Sequence, residues 1–109
     1  MDRVTLRPEL RRSTPFHEAH STTVAGLRNI EGGDDRIHNN LFVGSNGLVQ
    51  YDQVAYPVWM SGNIFLKGTR PSRHEQAPLE QTEFDPAIKL VEKENSLSLD
   101  ITLDQAWGT

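Results

Sequence analysis

Cysteine is absent from this 109-residue chain, which removes disulfides, thiolate nucleophiles and thiolate metal sites together. No apolar run approaches the roughly 20 residues that a membrane-spanning helix needs. The first residues, Met-Asp-Arg-Val-Thr, lack the basic head and apolar stretch of a signal peptide. No membrane partner is expected. Basic residues are the minority: 11 Lys and Arg against 15 Asp and Glu leave a net charge of -4. There is also no basic stripe interleaved with aromatics of the kind that tracks a phosphate backbone, so nucleic acid is not an expected partner. Equally missing are a Gly-x-Ser-x-Gly elbow, a Walker phosphate loop and a dinucleotide fingerprint. Gly32-Gly33 runs toward a strand rather than a helix amino terminus that would hold phosphate. No cofactor is implied.

What is present is a phrase that occurs twice, Ile37-His38-Asn39-Asn40-Leu41-Phe42-Val43-Gly44 and Met60-Ser61-Gly62-Asn63-Ile64-Phe65-Leu66-Lys67-Gly68. Asn40 falls on Asn63 and Phe42 on Phe65, at an offset of about 23 residues, a period that belongs to solenoids. One turn of a right-handed parallel β-helix has about that length. Each turn buries its inward side chains only by stacking on a neighbour, and an Asn at a turn satisfies its amide by pairing with the Asn of the next coil. Two turns are too few to stand alone, so the chain reads as a single all-β segment, residues 1–109, of something larger.

Residues 1–20 are punctuated by Arg3, Arg7, Arg11, Arg12 and Ser13-Thr14-Pro15 and read as an extended connector. Residues 21–68 hold the repeat strands. Ser21 to Ile30 is β-prone and ends in the turn signal Glu31-Gly32-Gly33-Asp34-Asp35; a strand over Arg36 to Val43 follows, closed by Gly44-Ser45-Asn46-Gly47. Leu48 to Tyr51 and Tyr56 to Met60 read as short strands, and Asn63 to Leu66 as the repeat strand. Residues 69–85 are expected to be a long loop. Residues 86–104 form the clearest pattern: Leu97, Leu99, Ile101 and Leu103 alternate with Ser98, Asp100 and Thr102. With Ile88, Leu90 and the polar turn Glu92-Lys93-Glu94-Asn95-Ser96, this predicts an antiparallel hairpin with one face buried, as in a β-sandwich. The repeat strands are instead continuously apolar, as doubly covered parallel strands tend to be.

Candidates for chemistry are few. His17 and His20 are three apart, a weak metal pair without a helical pattern or a nearby carboxylate-His partner, and no metal is expected. Asp34-Asp35 after two glycines suits a turn that accepts backbone N–H bonds more than it suits an acid and a base. Asp52 and Glu75 lie about one rung apart; stacked coils bring equivalent positions to roughly 4.8 Å, near the spacing of a retaining glycosidase, yet neither sits in a β-run. Trp59, beside the repeat, is expected in the core, while Trp107, Tyr51 and Tyr56 are candidates to stack on a sugar ring.

These residues carry a resemblance. The blocks Arg12-Ser13-Thr14-Pro15-Phe16-His17, His20-Ser21-Thr22-Thr23-Val24-Ala25-Gly26-Leu27 and Gly32-Gly33-Asp34-Asp35-Arg36 running into Asn39-Asn40-Leu41-Phe42 resemble the carboxy-terminal part of glycoside hydrolase family 120, from about residue 11 to residue 104. The family comprises β-xylosidases and related proteins, many described as α-L-arabinofuranosidases or right-handed β-helix proteins. The resemblance implies a parallel β-helix decorated by an outer β-sandwich, acting on xylo-oligosaccharides with retention through two carboxylates. Both belong to coils upstream of the first residue here, and no residue of this chain matches either motif. The implied role is that of a non-catalytic, structural segment. Its partners would be the upstream coils, the parent's oligosaccharide substrate and, through bare edges, itself. His20 is the one candidate substrate contact, because the His-Ser-Thr block follows the catalytic coils closely; holding a loop is its competing role. Two other readings stand beside this one: an accessory carbohydrate-binding module with exposed aromatics, and a self-contained glycosidase using Asp34/Asp35 or Asp52/Glu75.

Overall fold

A computed structural model describes residues 5–18 and 20–108. Among these the chain is all-β, with two short 3-10 turns and no α-helix. The repeat phrase builds its centre. Strands β3 (Arg36–His38) and β4 (Leu41–Val43) form a first coil, and β5 (Trp59–Ser61) and β6 (Ile64–Leu66) a second. A third follows in β7 (Glu75–Gln76) and β8 (Leu79–Gln81). The strands stack in parallel into two three-stranded sheets, β3-β5-β7 and β4-β6-β8, with Leu41 level with Ile64 and Phe42 with Phe65. The expected stacking of one repeat on the other is therefore present.

The expected single strand over residues 36–43 is broken at a corner, and the break recurs in every coil. Asn39, Gly62 and Ala77 each precede the residue that leads into the second strand of a coil, and each sits in the left-handed region, at φ 57, 65 and 53°. Asn and Gly adopt that region readily, whereas Ala pays for its Cβ. At Gly62 a Cβ would also lie 2.5 Å from Asn39 Oδ1, so any larger residue at the second corner would have to displace the Asn39 side chain.

Inside the corner lies Asn63, fully buried. The Asn40 N–H donates to Asn63 Oδ1 at 2.9 Å, and Asn40 Nδ2 to the same oxygen at 3.2 Å. Asn63 Nδ2 donates to Ile37 O at 2.9 Å and to both oxygens of Glu75, at 3.1 and 2.9 Å, while its N–H donates to Glu75 Oε1 at 3.2 Å. Beside this ladder, Phe42 stacks on Phe65 with ring centres 5.2 Å apart and 11° between planes. The core proper is small: Leu48, Tyr51, Met60 and Phe65, with Ile37, Phe42, Val54 and Val58 against it.

Several expectations are corrected. Residues 48–51 are not a strand; Val49–Gln53 forms a 3-10 turn, whose three-residue period turns both Leu48 and Tyr51 inward. The strand expected over residues 56–60 is shifted to Trp59–Ser61. The long loop of residues 69–85 contains the whole third coil, which follows the second after 15 residues, Met60 pairing with Glu75, and carries Glu75, Glu80 and Gln81 where the second coil carries Met60, Phe65 and Leu66, and Pro78 where it carries Asn63. Glu75 therefore does lie in a strand. Within residues 1–20, Glu9–His17 is a strand, β1, paired antiparallel with β2 (Val24–Ile30); Arg3 lies outside the described residues.

The carboxy-terminal hairpin forms as expected, as β9 (Lys89–Lys93) and β10 (Ser96–Asp100), Leu99 opposite Leu90. Its apolar face is not buried within the chain: Leu90 and Leu97 are each more than 60% exposed. The outlying hairpins help to explain a radius of gyration of 18.2 Å, against about 13 Å for a compact domain of 100 residues.

Two stability measurements follow. Ala77→Gly removes a left-handed alanine and is expected to stabilise the chain by about 1 kcal/mol in urea unfolding; a lower midpoint would mean that this corner is built differently. Asn63→Ala, which strips a buried amide from three partner residues, is expected to cost about 2–3 kcal/mol, and Asn40→Ala at the exposed end of the ladder less than about 1 kcal/mol.

Candidate functional site

Two clefts are open to a partner. The larger, about 460 Å³, runs beside Asn40, Leu41, Phe42 and Val43 and is walled across from them by Ile88, Leu99 and Ile101. It exists because β4 is hydrogen-bonded on one side only, to β6, and heads its sheet. Phe65, one coil further in, is sealed, whereas Phe42 is half-buried. The strand end is held firmly: buried Thr69 donates its hydroxyl to Phe42 O at 3.0 Å and to Leu66 O at 2.8 Å. No titratable side chain lines this cleft. Such a surface offers apolar side chains and an unpaired strand edge.

The smaller cleft, about 340 Å³, is polar. Leu27, Arg28, Asn29 and Glu31 line it from the end of β2, and Tyr56 from the connection between the first two coils. Arg28 is braced over the Phe16 ring at 4.0 Å, and Gly33 packs so closely on Tyr56 that a Cβ there would meet the Tyr56 carbonyl at 2.5 Å. Donors, an acceptor and a ring edge thus converge, with a single carboxylate among them.

The predicted carboxylates are dispersed into structural bonds. Asp34 is exposed, at φ 58°, and lies 3.6 Å from Arg36. Asp35 accepts the Tyr51 hydroxyl at 3.0 Å, and burial together with this carboxylate pushes the phenol up to about 12. Asp52 accepts the Ser72 hydroxyl at 2.8 Å and the Arg73 N–H at 2.7 Å, and the latter bond above all holds its carboxyl below the usual range. Glu75 is taken by Asn63. Asp85, exposed, is likewise lowered, first by the Ala87 N–H and then by Lys67 at 3.0 Å.

His20 sits exposed in the bend between β1 and β2, at φ 59°, and lines neither cleft; His17 is exposed on β1. Trp59 is not in the core: it is 43% exposed, with the Arg36 guanidinium 4.2 Å from its ring centre. Trp107 packs edge-on against Phe84 at 4.7 Å. His74 has its Nε2 buried with no hydrogen-bond partner; nothing in its sequence neighbours Arg73 and Glu75 signals that.

Compared with known proteins, the chain matches no family model and no curated protein. Among solved structures it is similar to XylC, determined in complex with xylose, with a TM-score of 0.69 and 29% identity over 85% of this chain. The match covers 19% of XylC, so the chain spans about a fifth of that protein's length.

The lowered Asp52 carboxyl predicts a pH dependence. A group whose folded pKa is depressed contributes stability above its unfolded pKa and loses it as pH falls through the folded value. Asp52→Ala is therefore expected to be less stable than the parent sequence by about 1 kcal/mol at neutral pH, with the gap closing as the pH is taken below the carboxylate range. A gap that stays constant in urea titrations across that range contradicts the assignment.

Proposed function

We propose that this chain is a non-catalytic segment of a xylan-related glycoside hydrolase, in which its three coils continue a parallel β-helix and its two hairpins cover the flanks. The likeness to XylC carries this reading. The clefts support it: a glycosidase of the common retaining kind needs two carboxylates roughly 5 Å apart, and the larger cleft has none while the smaller has Glu31 alone. The apolar cleft beside β4 and the bare Leu90, Leu97 and Leu99 are then surfaces for the rest of the enzyme. In that setting β4 and the outer hairpin gain the second layer that their side chains ask for.

A second reading, an accessory sugar-binding module, draws on the polar cleft, where Arg28, Asn29, Glu31 and Tyr56 offer donors, an acceptor and a ring to a pentose hydroxyl array. His20, exposed at the neighbouring bend, is the further donor that this reading uses.

The test is direct. The chain alone is expected to hydrolyse neither nitrophenyl β-xyloside nor nitrophenyl α-arabinofuranoside, and a XylC in which this chain replaces the matching fifth is expected still to bind xylose. Turnover by the chain alone overturns the proposal. Saturable xylose binding by the chain alone, shifting the resonances of Arg28, Asn29 and Tyr56, would favour the second reading.

A further inference from the structure

The asparagine ladder has a direction. From the first coil to the second, a backbone N–H and a side-chain amide, both of Asn40, are passed to the oxygen of Asn63. From the second to the third, the same two donors of Asn63 are passed to Glu75 Oε1. The ladder position in each coil is the residue just before its second strand: Asn40 before Leu41, Asn63 before Ile64, and Pro78 before Leu79, which pairs with Ile64. Proline has no N–H and no side-chain amide, so nothing can be passed beyond the third coil. Glu75, reaching in from β7, supplies the acceptor that an asparagine at position 78 would have supplied.

The opposite end is open. Both donors of Asn40 are used, on Asn63 and on His38 O at 2.9 Å, while its Oδ1 accepts no hydrogen bond among the described residues. Beside it the β4 edge is unpaired, and half-buried Phe42 tops the aromatic stack. We infer that the first-coil edge is a docking surface for one kind of occupant: a parallel coil with asparagine at the ladder position and large apolar residues after it. Its N–H and amide would fall to Asn40 Oδ1, and its apolar side chains would enter the cleft between Phe42 and the wall of Ile88, Leu99 and Ile101.

A second copy of this chain, stacked head to tail, does not meet that requirement. Its third coil would bring Pro78 over Asn40 and leave the amide oxygen without a donor. Head-to-tail contacts that do not close generate filaments, so the proline at one end and the unfilled acceptor at the other direct this surface away from self-stacking. The inference rests on the coil-stack reading proposed above, but its test is independent of hydrolysis and of xylose.

The probes are a peptide of residues 59–66, Trp-Met-Ser-Gly-Asn-Ile-Phe-Leu, and the same peptide with Asn63→Pro, each titrated into the labelled full chain and followed by backbone amide shifts. The asparagine peptide is expected to shift Asn40 to Val43 together with Ile88 and Leu99, and the proline peptide to bind at least tenfold more weakly. In the Asn40→Leu variant, altered at an exposed position, the two peptides are expected to bind alike. Equal binding of both peptides to the parent chain, shifts at β8 instead, or no shift at all overturns the inference. So does a dilution series of the chain alone in which β4 and β8 shift together, since that reports head-to-tail copies.

Discussion

A buried amide that has to be satisfied is the constraint on which the rest depends. Asn63 has no contact with solvent, and an unpaired amide in that position would cost more than a small core returns. Its partners come from the coils on either side: Asn40 and Ile37 from the first, Glu75 from the third. To place them, each coil must turn sharply just before the ladder residue, and each does so through one left-handed residue. Register follows, because slipping any strand by one residue would put the wrong group against Asn63 and turn Phe65 away from Phe42. With Leu48, Tyr51, Met60, Phe65 and Leu66 as the buried apolar residues among those described, polar specificity does much of what bulk apolar burial does in larger domains.

The legible part of this fold was the part written twice. The pairing of Asn40 with Asn63 and of Phe42 with Phe65 could be read from the repeated phrase, and the carboxy-terminal hairpin from strict alternation. The third coil was hidden for two physical reasons. It arrives after a shorter connection, so the 23-residue offset skips it, and its satisfied positions are filled by Glu75 and Pro78 rather than by a third Asn and an apolar run. Of the β1–β2 ribbon, β2 falls within the β-prone Ser21 to Ile30, whereas β1 lies among the Arg and Pro residues that read as a connector; its pairing is a matter of backbone bonds. Leu48 and Tyr51 were read with period two when the turn that buries them has period three. Trp59 is expected inward for its place beside the repeat, yet the guanidinium of Arg36 over its ring gives it a partner at the surface.

The same accounting explains why no catalytic group stands out. A carboxylate is available for chemistry when its environment leaves it a proton to move and a cleft to face. Here Asp35 holds a phenol, Asp52 holds a turn, and Glu75 closes a ladder. Among the described residues, an apolar edge and a polar cleft remain open. The likeness to XylC extends over 19% of that protein.

The most direct measurement is hydrogen exchange at the side-chain amide of Asn63, followed by NMR in the full chain. The account predicts that both Nδ2 protons exchange only with the opening of the coil stack, as slowly as the backbone amides of Phe65 and Leu66. Exchange at the rate of an exposed asparagine, while those backbone amides stay protected, would contradict the claim that the buried amide holds the three coils in register.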